Sequence, residues 1–195
     1  MQGSFDGVYQ KHDSYWGLKP SKLVLNIPNY RKSGSVLDVG AGEGRNALYL
    51  ASKGFDVTAM DISTVGISKS EQLAKEHGLT LKSQVKDISR ARLSDTFDII
   101  ISLGALMFLE DESIAPVIHK LQKHTASGGL NVITVMTKKN PNKNFPHLFN
   151  VNELRNYYSD WELIKYREFM TPEERHGDGV LHRHGIAVLL AQKPQ

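Results

Sequence analysis

Three aspartates stand at or just beyond the ends of three apolar runs in the first half of this chain. Asp38 lies in Ser35–Val39, directly before the turn Gly40-Ala41-Gly42-Glu43-Gly44; Asp61 closes Phe55–Met60, and Asp87 follows Leu79–Val85. Glycines let a backbone turn sharply and approach a ligand closely, and the helix that such a turn feeds begins with unpaired N–H donors. An acid about 20 residues beyond the first glycine is spaced to grip ribose hydroxyls, and Asp61 stands at that spacing from Gly40. A glycine pair alone is equally a tight strand-to-helix turn, and any one of the acids is equally a helix cap or a solvated charge. Three carboxylates delivered to one edge of a parallel sheet point instead to a ligand.

Charge discriminates between ligands. A pyrophosphate on this turn is repelled by Asp38, whereas an ammonium and a sulfonium are attracted. S-adenosylmethionine carries both cations, a ribose for Asp61 and an exocyclic amine for Asp87. The spacing G-x-G-x-G also departs from the dinucleotide fingerprint G-x-G-x-x-G. An NAD-dependent oxidoreductase on a similar sheet and a non-catalytic S-adenosylmethionine-binding module are the rival readings.

A second constellation lies near the carboxyl terminus. His182 and His184 are two apart, so on a strand they share a face, and Arg183, Arg175 and His176 are close in sequence. They suit an anionic acceptor, with His182 or His184 as general base for an oxygen or nitrogen nucleophile. The same residues also read as a polar loop entering an edge strand, or as a metal pair lacking a third ligand. Tyr9, Tyr15 and Trp16 either fold over the cleft as a lid or anchor a terminal helix.

The elements that must position these groups alternate. Lys22–Ile27 is a short helix halted at Pro28. Strands are expected at Ser35–Val39, Phe55–Met60, Leu79–Val85, Phe97–Leu103, Leu130–Thr137, Trp161–Phe169 and Ile186–Ala191. Helices are expected at Arg45–Lys53, Thr64–His77 and, capped by Asp111, to His124, with a short one after Asn152. Ser127-Gly128-Gly129 reads as a turn, and Lys138–Phe149 as a polar loop. This order predicts an α/β fold: a doubly wound, mostly parallel seven-stranded sheet, Rossmann-like, with helices on both faces and the last two strands as an antiparallel hairpin. Ligands of such sheets bind outside the carboxyl ends of the strands, where strand order reverses.

Composition narrows the classes. A formal net charge of +3, scattered along the chain, is no nucleic-acid footprint. The absence of cysteine excludes disulfides, a cysteine nucleophile and thiolate metal sites. No apolar stretch has the length of a membrane span and the amino-terminal residues lack a signal-peptide core, so a cytoplasmic protein without membrane or nucleic-acid partners is expected. A single domain is expected over residues 1–195: a helical cap to 30, a cofactor-binding core over 35–137, and a hairpin with an acceptor-side loop over 138–195.

The segment from Val36 to Ser63 resembles the first two motifs of class I S-adenosylmethionine-dependent methyltransferases. Lys86-Asp87-Ile88 resembles their adenine-side motif and Phe97–Ser102 their fourth strand. Gly42–Asp61, Ala105–Glu110, Gly128–Ile133 and Glu153–Tyr166 are similar to the tellurite-resistance methyltransferases. The resemblance implies the class I fold, S-adenosylmethionine as cofactor, and methyl transfer to a small acceptor, tellurite, selenite or another soft or anionic nucleophile. It also implies residue roles. Gly40, Ala41 and Gly42 bring backbone against the methionine portion, where Asp38 orients the ammonium and Asn46 reaches the carboxylate. Asp61 takes the ribose and Ile62 packs on adenine. Asp87 and the backbone N–H of Ile88 read the adenine edge, and Ser102 and Leu103 lie beside the sulfonium. His182, Arg183 and His184 fall on the acceptor side, although the stretch from Arg175 to His184 matches the family's basic segment only loosely.

Overall fold

The computed structural model describes residues 2–173, 175 and 180–195, with side chains from residue 5 onward. It resolves into two compact units, Met1–Arg92 and Leu93–Gln195. One seven-stranded sheet runs through the chain in the order β3-β2-β1-β4-β5-β7-β6, numbered as the strands are introduced below.

In the first unit, β1 (Ser35–Val39), β2 (Asp56–Asp61) and β3 (Lys82–Val85) pair in parallel. Helices α4 (Arg45–Ser52) and α5 (Thr64–Glu76) are the crossovers and pack on them. β1 is mostly apolar because it is buried from Val36 to Val39, with Val36 and Leu37 showing no exposure. Ser63 caps α5: its hydroxyl accepts from the N–H of Gly66 at 3.0 Å, filling one donor that the helix start leaves open. Ahead of β1 lie α1 (Gln2–Gln10), α2 (Lys22–Leu25) and α3 (Ile27–Tyr30). Pro28 does not halt the chain as expected; it sits in the first turn of α3. There proline's missing N–H costs nothing, since first-turn donors have no partner inside the helix. The third strand is also shorter than the predicted Leu79–Val85. It is an exposed segment paired on one side only, so its pattern blurs into the turn after α5.

In the second unit, β4 (Phe97–Leu103) pairs in parallel with β5 (Thr125–Met136), joined through a 3₁₀ turn (Leu106–Phe108) and α6 (Asp111–Lys123). After α7 (Glu153–Tyr157), β6 (Glu162–Met170) runs to the edge, and β7 (Gly185–Gln192) inserts between β5 and β6, antiparallel to both. The hairpin is therefore as expected. The predicted turn at Ser127-Gly128-Gly129 is instead an irregularity inside β5: Phe97 pairs with Thr125, and Ile99 then pairs with Leu130. Asp111 does not cap α6. Glu110 holds that position, and the Asp111 carboxylate bonds to His147. Asn152 precedes α7 at φ 62° but makes no side-chain cap. The unit's core includes a polar chain with almost no exposure: Tyr158 Oη donates to Asn131 Oδ1 at 2.8 Å, and Asn131 Nδ2 donates to Thr125 Oγ1 at 2.6 Å.

Candidate functional site

Strand order reverses at β1, so the carboxyl end of that strand is where a doubly wound sheet takes its ligand. There the chain turns through Gly40, Gly42 and Gly44, all at positive φ. The N–H groups of Gly40 and Ala41 both donate to the Met60 carbonyl, at 2.8 and 3.1 Å, and the N–H of Gly42 donates to Asp61 Oδ2 at 2.7 Å. The turn is thus tied to the end of β2. Glycine is required at two positions. Gly42 has φ +55°, and a Cβ there would lie 2.7 Å from Tyr9 Oη; Gly44 has φ +84°, and its Cβ would meet Ser70 Cβ at 2.6 Å.

The three acids are not level. Asp38 pairs in register with Ala59, two residues before Asp61, and Asp61 pairs with Val85, two residues before Asp87. Each step is about 7 Å along the strands and about 5 Å across. The carboxylates therefore form a diagonal from the buried interior of the sheet outward, which suits a long ligand better than a compact one.

Their environments differ accordingly. Asp38 is 1% exposed, and its Oδ2 has no hydrogen-bond partner among the described residues. Burial above all, then the charge of Asp61, push its carboxyl up to about 7, against the opposing pull of Arg45 and the Ala47 N–H. Asp61 is also raised by burial, although the N–H groups of Ser63, Gly42 and Ile62 favour its ionised form. Its Oδ1 accepts from Ser63 at 2.8 Å. Asp87 Oδ1 accepts from the N–H and the hydroxyl of Ser89, at 2.9 and 2.7 Å.

Asp87, Ile62, Val85, Lys86 and Arg90 line a cleft of about 220 Å³. Ile88 beside it is buried. Asn46, buried in the first turn of α4, is fixed by Ser21, whose N–H donates to its Oδ1 at 2.9 Å. The sequence assigns no role to Val85 and Arg90, which flank Asp87, or to Lys86, which it places only within the adenine-side motif, and none to Glu43, a buried acid inside the glycine turn itself.

In the second unit, Ser102 and Leu103 end β4. Ser102 is fully buried, and its hydroxyl has no hydrogen-bond partner among the described residues. His182, Arg183 and His184 precede β7 rather than lying on it. The two imidazoles still meet, ring centres 4.8 Å apart, edge to face. Thr171 fixes the segment: its hydroxyl accepts from the His184 N–H at 2.9 Å and its carbonyl from Arg183 Nε at 3.0 Å. His182 Nδ1 lies 2.6 Å from the Val180 carbonyl. His176 falls outside the described residues, as do Gly177, Asp178 and Gly179. No group of three or more metal-ligating side chains occurs among the described residues. His147, unremarked in the sequence, bridges two carboxylates: Nδ1 lies 2.6 Å from Asp111 Oδ1 and Nε2 3.1 Å from Glu153 Oε1.

Residues 12–182 match the family model described as tellurite resistance protein TehB. The chain belongs to the TehB family. It is 32% identical, over 84% of its length, to a protein of Haemophilus influenzae named as a probable S-adenosyl-L-methionine-dependent methyltransferase TehB, and covers 60% of that protein. The crystal structure of TehB from Haemophilus influenzae superposes with a TM-score of 0.81 at 32% identity, over 87% of this chain and 61% of that one. The chain therefore spans about three fifths of the length of these relatives. The fold is shared more widely: an N-methyltransferase, NodS from Bradyrhizobium japonicum, solved with S-adenosyl-L-homocysteine, matches at TM-score 0.78 and 16% identity over the whole chain. The fold class is thus that of the class I methyltransferases. No helix among the described residues is long and apolar enough to cross a membrane.

Proposed function

We propose that this TehB-family chain is an S-adenosylmethionine-dependent methyltransferase acting on a small acceptor. The observation that carries the reading is Asp38, a buried carboxylate with an unpartnered oxygen in the strand that feeds the glycine turn. Such a group demands a cation, because an ionised carboxylate without one is costly to bury. The ammonium of a methionine moiety meets that demand and a pyrophosphate does not, which weighs against a nicotinamide dinucleotide.

On this reading Asp38 faces the ammonium, Gly40, Ala41 and Gly42 present backbone, and Asp61 offers its remaining lone pairs to the ribose hydroxyls. Ile62 and Val85 cover the adenine, and Asp87 and the Ile88 N–H read its edge. Bound there, S-adenosylmethionine supplies an electrophilic methyl group, whose bond to sulfur breaks as the acceptor bonds to carbon. The chain then contributes alignment and exclusion of water, and effective molarities of about 10⁵ M or more show how large alignment can be.

We assign the acceptor side to His182, Arg183 and His184, with a soft or anionic nucleophile of the tellurite or selenite kind as acceptor. The chain works as one methyltransferase domain in the cytoplasm. The first test is calorimetric titration with S-adenosylmethionine, for the wild type and for Asp61→Ala. Saturable binding, weakened at least about tenfold by the loss of a charged hydrogen-bond acceptor, is expected; no binding at millimolar ligand sinks the proposal. Methyl transfer to tellurite, measured with His182→Ala and His184→Ala, tests the acceptor side, and unchanged turnover in both removes the histidines from it.

A further inference from the structure

The segment from Asp6 to Ser21 is stitched to the glycine turn and the start of α5 by side chains that the cofactor reading does not use. Asp6 Oδ1 accepts from the Ser63 hydroxyl at 2.5 Å and the Val65 N–H at 3.1 Å. Tyr9 is 4% exposed; its hydroxyl lies over Gly42 and accepts a hydrogen bond from the Trp16 side chain. Arg45 Nη1 donates to the Trp16 carbonyl at 3.1 Å.

The centre of this stitching is Lys69. Its ammonium donates to the carbonyls of Tyr9, at 2.6 Å, and of His12, and lies 3.4 Å from that of Asp13. These carbonyls stand at and just beyond the end of α1, where the last turn of a helix leaves acceptors unsatisfied and carries partial negative charge. The same ammonium pairs with Glu43 Oε1 at 3.1 Å, and Glu43 Oε2 accepts from the Tyr15 N–H at 2.8 Å. Glu43 is the residue between Gly42 and Gly44, and it is only 5% exposed. One ion pair therefore ties both ends of the Tyr9–Trp16 segment to the backbone that approaches the ligand.

We propose that Lys69 and Glu43 are a positioning pair, a latch holding the Tyr9–Trp16 strap against the glycine turn so that it retards departure of S-adenosylmethionine and of its demethylated product. The inference rests on the cofactor reading above. Neither residue touches the reacting atoms; both act through Tyr9, Tyr15 and Trp16. The latch closes one end of the site without adding a group that reacts, so its signature is kinetic. Loosening it speeds dissociation and raises the KM for the cofactor, while the rate of the chemical step at saturating cofactor stays as it was.

The test is stopped-flow dissociation of S-adenosylmethionine from the wild type, Lys69→Met, Lys69→Arg and Glu43→Gln, with single-turnover rates at saturating cofactor. Hydrogen exchange over residues 9–16 is followed in parallel. Lys69→Met is expected to speed dissociation about tenfold or more, since affinity changes of this kind fall mainly on the off-rate. Lys69→Arg, which keeps the charge and the donors, should recover most of the loss, and Glu43→Gln should speed dissociation less than Lys69→Met. Tyr158→Phe, a destabilising change in the second unit, should leave dissociation unaltered; if it speeds it as much, the effect is one of stability and the latch is refuted. Faster exchange over residues 9–16 with wild-type dissociation also overturns it. Should Lys69→Met fail to fold, Glu43→Gln carries the same test. Failure of the wild type to bind the cofactor overturns the cofactor reading itself, and is distinguished by the first titration.

Discussion

Replacing Asp38 by asparagine should remove a pH-dependent part of the stability. The carboxyl is raised from an ordinary 3.8 to about 7, so the folded chain holds its proton more tightly than the unfolded one. The resulting stabilisation is complete below pH about 4, declines as pH rises, and is lost above about 7; the gap of about 3 pH units corresponds to about 4 kcal/mol. Asparagine keeps the shape and never titrates. Urea unfolding of both proteins at intervals from pH 4 to 8.5 measures the effect. The wild type should lose up to about 4 kcal/mol relative to Asp38→Asn across that window. A difference that stays flat means that Asp38 is ionised throughout, and the argument from burial and from the neighbouring Asp61 charge is wrong. Cofactor binding supplies a second reading of the same proton. A cation placed beside the Asp38 carboxylate expels it, so titrations at pH 6 in buffers of different ionisation enthalpy should show release of most of a proton, with little released at pH 8. Release at pH 6 that persists in Asp38→Asn assigns the proton to another group.

Two stability predictions concern packing. Gly42→Ala should cost at least about 1–2 kcal/mol, because alanine resists a left-handed backbone and its Cβ meets Tyr9 Oη at 2.7 Å; Tyr9→Phe in the same background should restore part of the loss in denaturant titrations. Tyr158→Phe strips the donor from Asn131 Oδ1 in a fully buried site. It should lower the unfolding free energy by about 1–3 kcal/mol with an unchanged denaturant slope.

The parts of the fold legible in the sequence are those where burial is strongest. Ile99, Ile100 and Ile101 have no exposure, and a continuous apolar run of that kind has few other uses than a strand covered on both faces. The start of β3 is not legible, because Lys82–Val85 is a polar strand with one neighbour, and alternation carries little information where neither face is deeply buried. The place of Pro28 is ambiguous in the sequence, because proline breaks a helix interior but suits a first turn, and residue type alone does not say which of the two a given proline occupies. The three acids were legible as residue types at strand ends. Their diagonal was not, since it depends on the pairing of Asp38 with Ala59 and of Asp61 with Val85, which only the register fixes.

The strap was illegible for a different reason. Lys69 lies on α5, where its spacing marks it as an ordinary partly solvated lysine, and its partners are the carbonyls of residues 9, 12 and 13. Every residue carries a carbonyl, so an ammonium that binds three of them leaves no trace in the types of the residues bound. Glu43 was half legible: it sits inside the motif that draws attention, but acids in glycine turns are usually solvated, and its burial comes from Tyr15 and Lys69, 28 and 26 residues away. Residues that react or recognise must be particular types, and so they appear in a sequence. Residues that position them work through the backbone, which every sequence shares, and in this chain only the geometry of Lys69 and Glu43 marks them for that work.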